Sequence, residues 1–387
     1  MRNSIRWRRT AAGTAGLLLL AVQPGCAQDS EADVRRLSGR DAWRTDFSRA
    51  AVPLHEIVSG GPRKDGIPAV DRPRFEDAAA ADNWLGSRDP VVVIEEGGVV
   101  KGYPLSILIW HEIVNDDVGG VPVTVTFCPL CNTALAFDRR LGGRVLDFGT
   151  TGRLRQSDLV MYDRQTETWW QQAVGEAIVG VLTGEKLDLV AANTFGWETA
   201  KGLYPGIQVL SRDTGFPRYR DSGRYGRNPY EGYDRPGNRP FARFFSARSD
   251  ARLQAMERVV GLDVGNGWAV AFSSLRDQRV ANTSVGGKTV AVFWTPGAAS
   301  ALDDSQIANG RDVGQTAVFE RTVGDRNLDF TWEDGSFTDR QTGSRWNLAG
   351  QATEGPLAGN KLAPVPHGNH FWFAWVVFRP ETKLWKP

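Results

Sequence analysis

Cys128 and Cys131 stand two residues apart in the stretch VTVTFCPLCNTALAFD, between two runs that read as β-strands. A C-x-x-C loop sets two sulfurs one turn apart, and that spacing serves two chemistries. As thiolates the pair can hold a soft or borderline metal ion. As a dithiol it can cycle to a disulfide, with an imidazole or the N–H groups of the turn stabilising the thiolate. A fixed disulfide is the third reading, but a two-residue loop gains little entropic stabilisation from the bond and often strains it.

For a metal, the sequence offers His111 in PLSILIWHEIVNDD, a segment with helical spacing that could pack on the cysteine strand. Cys128, Cys131 and His111 form a three-ligand site for copper or zinc with one coordination position open. Met161 could add a weak fourth ligand to copper, although its ordinary role is core packing. Glu112 and Trp169 are read as lining the site. Arg155, Ser157 and Asp158 precede a strand and could face the cysteines, where Arg155 would pair with a substrate carboxylate or phosphate.

An open position implies a metal-dependent oxidoreductase acting on a small-molecule substrate. A filled one implies a metal-binding or delivery protein loaded by a metal donor. A thiol-disulfide oxidoreductase is the alternative, followed by an envelope module that binds ligand or builds structure without chemistry. The remaining histidines carry less: His55 in PLHEI reads as a surface or turn residue, and His367 and His370 in VPHGNHFW have no acidic or thiol partner nearby in sequence. No Ser-His-Asp order, phosphate loop or glycine-rich dinucleotide fingerprint is present.

The elements that must position these residues recur. DRQTETWWQQAVGEAIVGVLTGEKL at 163–187 matches DRQTGSRWNLAGQATEGPLAGNKL at 339–362, and NDDVGGVPVTVTFCP at 115–129 matches NTSVGGKTVAVFWTP at 282–296. Self-similarity on this scale predicts two copies of one supersecondary unit. It also sorts residues: Asp163 recurs as Asp339 and Trp170 as Trp346, which assigns them to folding. Cys128 falls on Thr295, Cys131 on Ala298, His111 on Gln278 and Glu112 on Arg279, so the candidate ligands are confined to the first copy.

Short β-rich runs separated by Gly and Asp turns, with few helical stretches, predict a strand-rich α+β fold of two homologous repeat units packed on each other. The boundaries are a signal segment at 1–27, an N-terminal extension at 28–85, the first unit with the C-x-x-C site at 86–215, an irregular linker at 216–256, and a degenerate second unit at 257–387. At 387 residues and a formal charge of +1, the chain can bury a large core and presents no net charge that favours nucleic acid.

Four arginines in the first nine residues, an apolar run and then small residues before Gln28 follow the order of a secretory signal. The expectation is export to the periplasm or cell envelope, by the general or the twin-arginine route, with no membrane-spanning segment in the mature chain. Cys26 could carry a lipid anchor. The segments GGPRKDGIPAVDRPRF, YPLSILIWHEIVND, VTVTFCPLCNTALAFDR, SDLVMYDRQTETWWQQAVGEAIVG and FWFAWVVFRPET occur in this order. Together they resemble the bacterial family known as domain of unknown function 3179. The resemblance implies an exported or envelope-associated protein with this CPLC loop and supplies no reaction. Asn132 departs from it, since a small residue such as Gly would be expected there.

Overall fold

A computed structural model describes residues 31–39 and 41–387. Residues 1–27, read from the sequence as a secretory signal, lie with Cys26 outside the described residues. The chain is strand-rich α+β, and its strands are collected into two eight-stranded sheets, a five-stranded sheet, a four-stranded sheet and two small hairpins.

Each large sheet draws strands from both halves of the chain. In the first, Ile113–Val118, Val121–Cys128 and Thr133–Asp138 continue into Gly368–Phe371, Arg258–Leu262 and Trp268–Ala271. In the second, Val280–Val285, Lys288–Thr295 and Gln315–Glu320 continue into Ala192–Gly196, Pro90–Glu96 and Val99–Pro104. The two seams are narrow, Ala134 pairing with Asn369 and Thr194 with Thr316.

The segment PLSILIWHEIVNDD is helical only over Leu105–His111. Glu112 takes a left-handed conformation (φ 59°) and ends the helix, its N–H bonding back to Leu108 O. Ile113–Val118 is a strand, which corrects the longer helix expected from the sequence. The β-branched Ile113 and Val114 favour the extended state. The turn Gly119-Gly120, with φ of 58° and 87°, then closes a hairpin that pairs Val118 with Val121.

The two halves repeat individual hydrogen bonds. Asn115 clasps Phe148, donating to its carbonyl at 2.8 Å and accepting from its N–H at 3.0 Å, and Asn282 clasps Phe330 at the same distances. Asp163 accepts from the Thr166 N–H and from Trp170 Nε1, and Asp339 accepts from the Thr342 N–H and from Trp346 Nε1. Arg279 ends the helix Phe272–Gln278 in the conformation of Glu112, at φ 64°.

The largest core cluster lies around the cysteine strand and contains Phe127, Cys128, Leu130, Cys131, Met161, Trp170 and Phe371. From the N-terminal extension, Leu37, Phe47, Leu54 and Ile57 pack on Val160, Tyr162 and Trp169 of the five-stranded sheet. No helix among the described residues is long and apolar enough to cross a membrane.

Candidate functional site

Cys128 is the last residue of Val121–Cys128, and Thr133, opposite it in the ladder, begins the next strand. Between them Pro129–Cys131 forms one tight turn closed by Asn132 N–H to Pro129 O at 3.1 Å. Proline at the first position presets φ for that turn. Asn132 must then adopt φ 50° to re-enter the sheet, a conformation asparagine tolerates better than most residues. The loop is thus built to return the chain to the ladder while turning both sulfurs into the core, where Cys128 is 2% and Cys131 0% exposed.

Asp158 arrives from the five-stranded sheet. It pairs with Arg155 across the two-residue turn Gln156-Ser157, in which both residues are left-handed (φ 52° and 66°). Neither is the asparagine or glycine such a turn prefers. The conformation is held from outside: Gln156 Oε1 accepts the N–H groups of Ser246 and Ala247, and Ser157 N–H donates to Phe244 O. Asp158 Oδ2 accepts from Gln171 Nε2 at 2.6 Å and from Ala173 N–H at 2.9 Å. Its Oδ1 is buried with no hydrogen-bond partner among the described residues, and the Cys128 thiol instead donates to Ser157 O at 3.6 Å.

The two sulfurs and one Asp158 oxygen all lie within 4.8 Å of one another. Both thiols are free, with no disulfide between them. Burial raises the pKa of Cys128 and raises that of Cys131 well above the ordinary thiol value. Burial also pushes Asp158 up to about 6, against the opposing pull of its hydrogen bonds. Glu112 is pushed up to about 8, by burial first and the nearby Asp158 second. The cluster concentrates buried acids, and burial penalises every ionised form; the cations nearest the cavity, Arg153 and Arg243, line its walls.

A cavity of about 200 Å³ opens beside this cluster. Cys128, Glu112, Leu159, Tyr230 and Phe244 are among its walls, whereas Cys131 and Asp158 stand behind. Two of those walls come from the 216–256 segment, which thus packs over the site. Tyr233, from the same segment, donates its hydroxyl to Leu130 O at 3.1 Å and braces the cysteine turn.

His111 is not in the group, and Asp158 stands where a third donor was expected. The cause is the early end of the helix, which leaves His111 as its last residue, facing the 216–225 segment. Its Nδ1 lies 2.7 Å from Pro68 O and its Nε2 2.7 Å from the Tyr225 hydroxyl, so both ring nitrogens are occupied. Met161 is fully buried in the same core as the cysteines and keeps its packing role. Arg155 is paired with Glu56 at 2.8 Å and also donates to Gln171, which in turn holds Asp158. Trp169 does not line the site: strand alternation sends Trp170 into the cysteine core and Trp169 into the cluster under the N-terminal extension. Glu112 does line the cavity.

His55 is exposed in a short turn, His367 bonds Val365 O, and His370 bonds Thr133 Oγ1 at 2.9 Å. Sequence reasoning placed Asp158 near the cysteines without giving it a donor's role. Nothing in the Gly- and Pro-rich sequence of 216–256 states what it covers, so the places of Tyr230 and Tyr233 are legible only in the structure.

The family model described as protein of unknown function (DUF3179) matches residues 64–382. No curated protein matches the chain. No solved structure matches it.

Proposed function

The chain belongs to the DUF3179 family, whose description carries no activity, so we propose its function from the site itself: Cys128, Cys131 and Asp158 bind a metal ion. The observation that carries this reading is the convergence of two thiols and a carboxylate oxygen, from two different sheets, within 4.8 Å. A divalent cation resolves the electrostatics. It holds thiols deprotonated that burial alone keeps protonated, and it gives the otherwise unpartnered Asp158 Oδ1 a partner. With a carboxylate in place of the expected imidazole, the donor set suits zinc better than copper(I), which prefers soft ligands throughout.

Gln171 and the Ala173 N–H orient the carboxylate, and the bracing of Leu130 by Tyr233 orients the sulfurs. Bound metal supplies Lewis acidity at the cavity. Glu112, held protonated up to about 8, is placed to exchange a proton with a small substrate there. The arginine-rich, apolar, small-residue order of the first 27 residues supports placing this activity in the periplasm or envelope.

A second reading rests on the graded access of the sulfurs, since Cys128 borders the cavity and Cys131 does not. In a thiol-disulfide oxidoreductase, Cys128 Sγ attacks one sulfur of a substrate disulfide and Cys131 Sγ then displaces it. The protein dithiol is oxidised, the substrate disulfide is reduced to two thiols, and two protons travel with the electrons.

One experiment separates the readings. Protein purified without chelator is analysed for metal by mass spectrometry, and free thiols are counted before and after chelation. The metal reading expects about one equivalent of zinc, lost in Cys128→Ser and Asp158→Asn, with thiols that become reactive only after chelation. Metal-free protein whose two thiols oxidise reversibly to a disulfide overturns it in favour of the second reading.

We also propose that the two halves are copies of one unit that became a shared-sheet structure, the second having lost the ligands. The paired clasps of Asn115 and Asn282, and of Asp163 and Asp339, support this, since each pair makes the same bonds from matching positions.

A further inference from the structure

A second cavity, of about 580 Å³, lies in the other half of the molecule at the position matching the cysteine site. Arg279 lines it from the left-handed helix end that Glu112 occupies in the first half, and Pro296 lines it from the turn position of Pro129. The charge is inverted.

Of the carboxylates around this cavity, only Asp234 is paired with arginines, and the other two are held by backbone N–H groups. Asp234 is held by Arg258, Arg311 and Ser300. Asp312 accepts the N–H groups of Gly297 and Gly314, and Glu257 accepts the N–H of Ser273. Arg279 has no such match among the described residues. Its guanidinium lies 4.7 Å from the Trp294 ring centre and 6.0 Å from that of Trp332, and its Nη1 is buried with no acceptor. Trp294 is 5% exposed, and its indole N–H is likewise buried with no acceptor. Arg276, largely exposed, lines the same cavity with only a 3.6 Å contact to the neighbouring Asp277.

An arginine at the cavity with no carboxylate partner among the described residues, a second largely exposed arginine and an aromatic wall fit an anion with an apolar body. We propose that this cavity binds a small organic carboxylate, its oxygens taken by Arg279 with Arg276 at the entrance and its body laid along Trp294. The site needs no metal and none of the cysteine chemistry.

The test uses benzoate as probe and inorganic phosphate as comparison, titrated calorimetrically into the full chain. Two variants are made: Arg279→Asn, chosen because asparagine tolerates the left-handed backbone, and the exposed Arg276→Gln. Benzoate is expected to bind one-to-one, with affinity at least about tenfold weaker in Arg279→Asn, the scale of one lost charge-assisted hydrogen bond, and about threefold weaker in Arg276→Gln. Cys128→Ser should bind benzoate like the unaltered chain, so the outcome is independent of the metal proposal. The inference is overturned if benzoate does not bind, if folded Arg279→Asn binds it unchanged, or if phosphate alone binds.

Discussion

Replacing His111 by alanine separates a ligand from a structural residue. The ring is 0% exposed and sits between Pro68 O and the Tyr225 hydroxyl, each at 2.7 Å. A carbonyl can only accept, so Nδ1 carries the proton and donates to Pro68 O, and Nε2 accepts from Tyr225 O–H. Tyr225 keeps a second partner in Thr214 at 2.7 Å, whereas among the described residues Pro68 O has only the bond to His111. Losing two bonds at about 1 kcal/mol each and leaving one carbonyl unpaired at about 1 to 3 kcal/mol predicts a loss of about 3 kcal/mol or more. Urea unfolding followed by circular dichroism measures it.

The pH dependence of that loss has a determined sign. Burial lowers the His111 pKa from 6.5 to about 4, outweighing the bond to Pro68. The unfolded chain therefore binds more protons between those values, and the neutral ring's contribution is lost as pH falls through that window. The gap between the unaltered chain and His111→Ala should narrow by up to about 3 kcal/mol between pH 6.5 and 4, at about 1.4 kcal/mol per pKa unit. Metal content at pH 7 should not change. A variant that retained full stability and lost its metal would refute the reasoning and return His111 to the ligand set.

Two further expectations can be checked by the same unfolding measurement. Asp163→Ala and Asp339→Ala should cost similar amounts, about 2 to 4 kcal/mol each, because each carboxylate satisfies a threonine N–H and a buried tryptophan N–H with matching geometry; a large cost at one and none at the other would break the equivalence. Asp234→Asn should cost about 3 to 5 kcal/mol, since it leaves the buried Arg258 without its counter-charge. A loss below about 1 kcal/mol would mean that Arg258 does not depend on that carboxylate.

Much of the fold was legible where the signal is local. Gly119-Gly120 and Gly286-Gly287 announce hairpins, strand alternation marks Val121–Cys128, and the recurrence of DRQT separates structural Asp163 and Trp170 from the unmatched cysteines. The helix was overextended because its apolar spacing runs on past Glu112, while the left-handed residue that ends it carries no glycine to give it away. Trp169 was misplaced because alternation says that neighbours part, not which of the two faces the cysteines.

The sequence by itself determined that two thiols sit on one short turn and that the matching stretch of the second half has none. Those are properties of spacing along one chain. Only the tertiary structure decided the third partner. Asp158 reaches the sulfurs because a turn of two left-handed residues, clamped by the 244–247 segment, aims one sheet at the end of another. His111 is excluded because its two nitrogens are satisfied by groups at 68 and 225, far away in sequence. Convergence of this kind depends on how sheets pack, and a buried polar atom takes whichever partner that packing brings within reach.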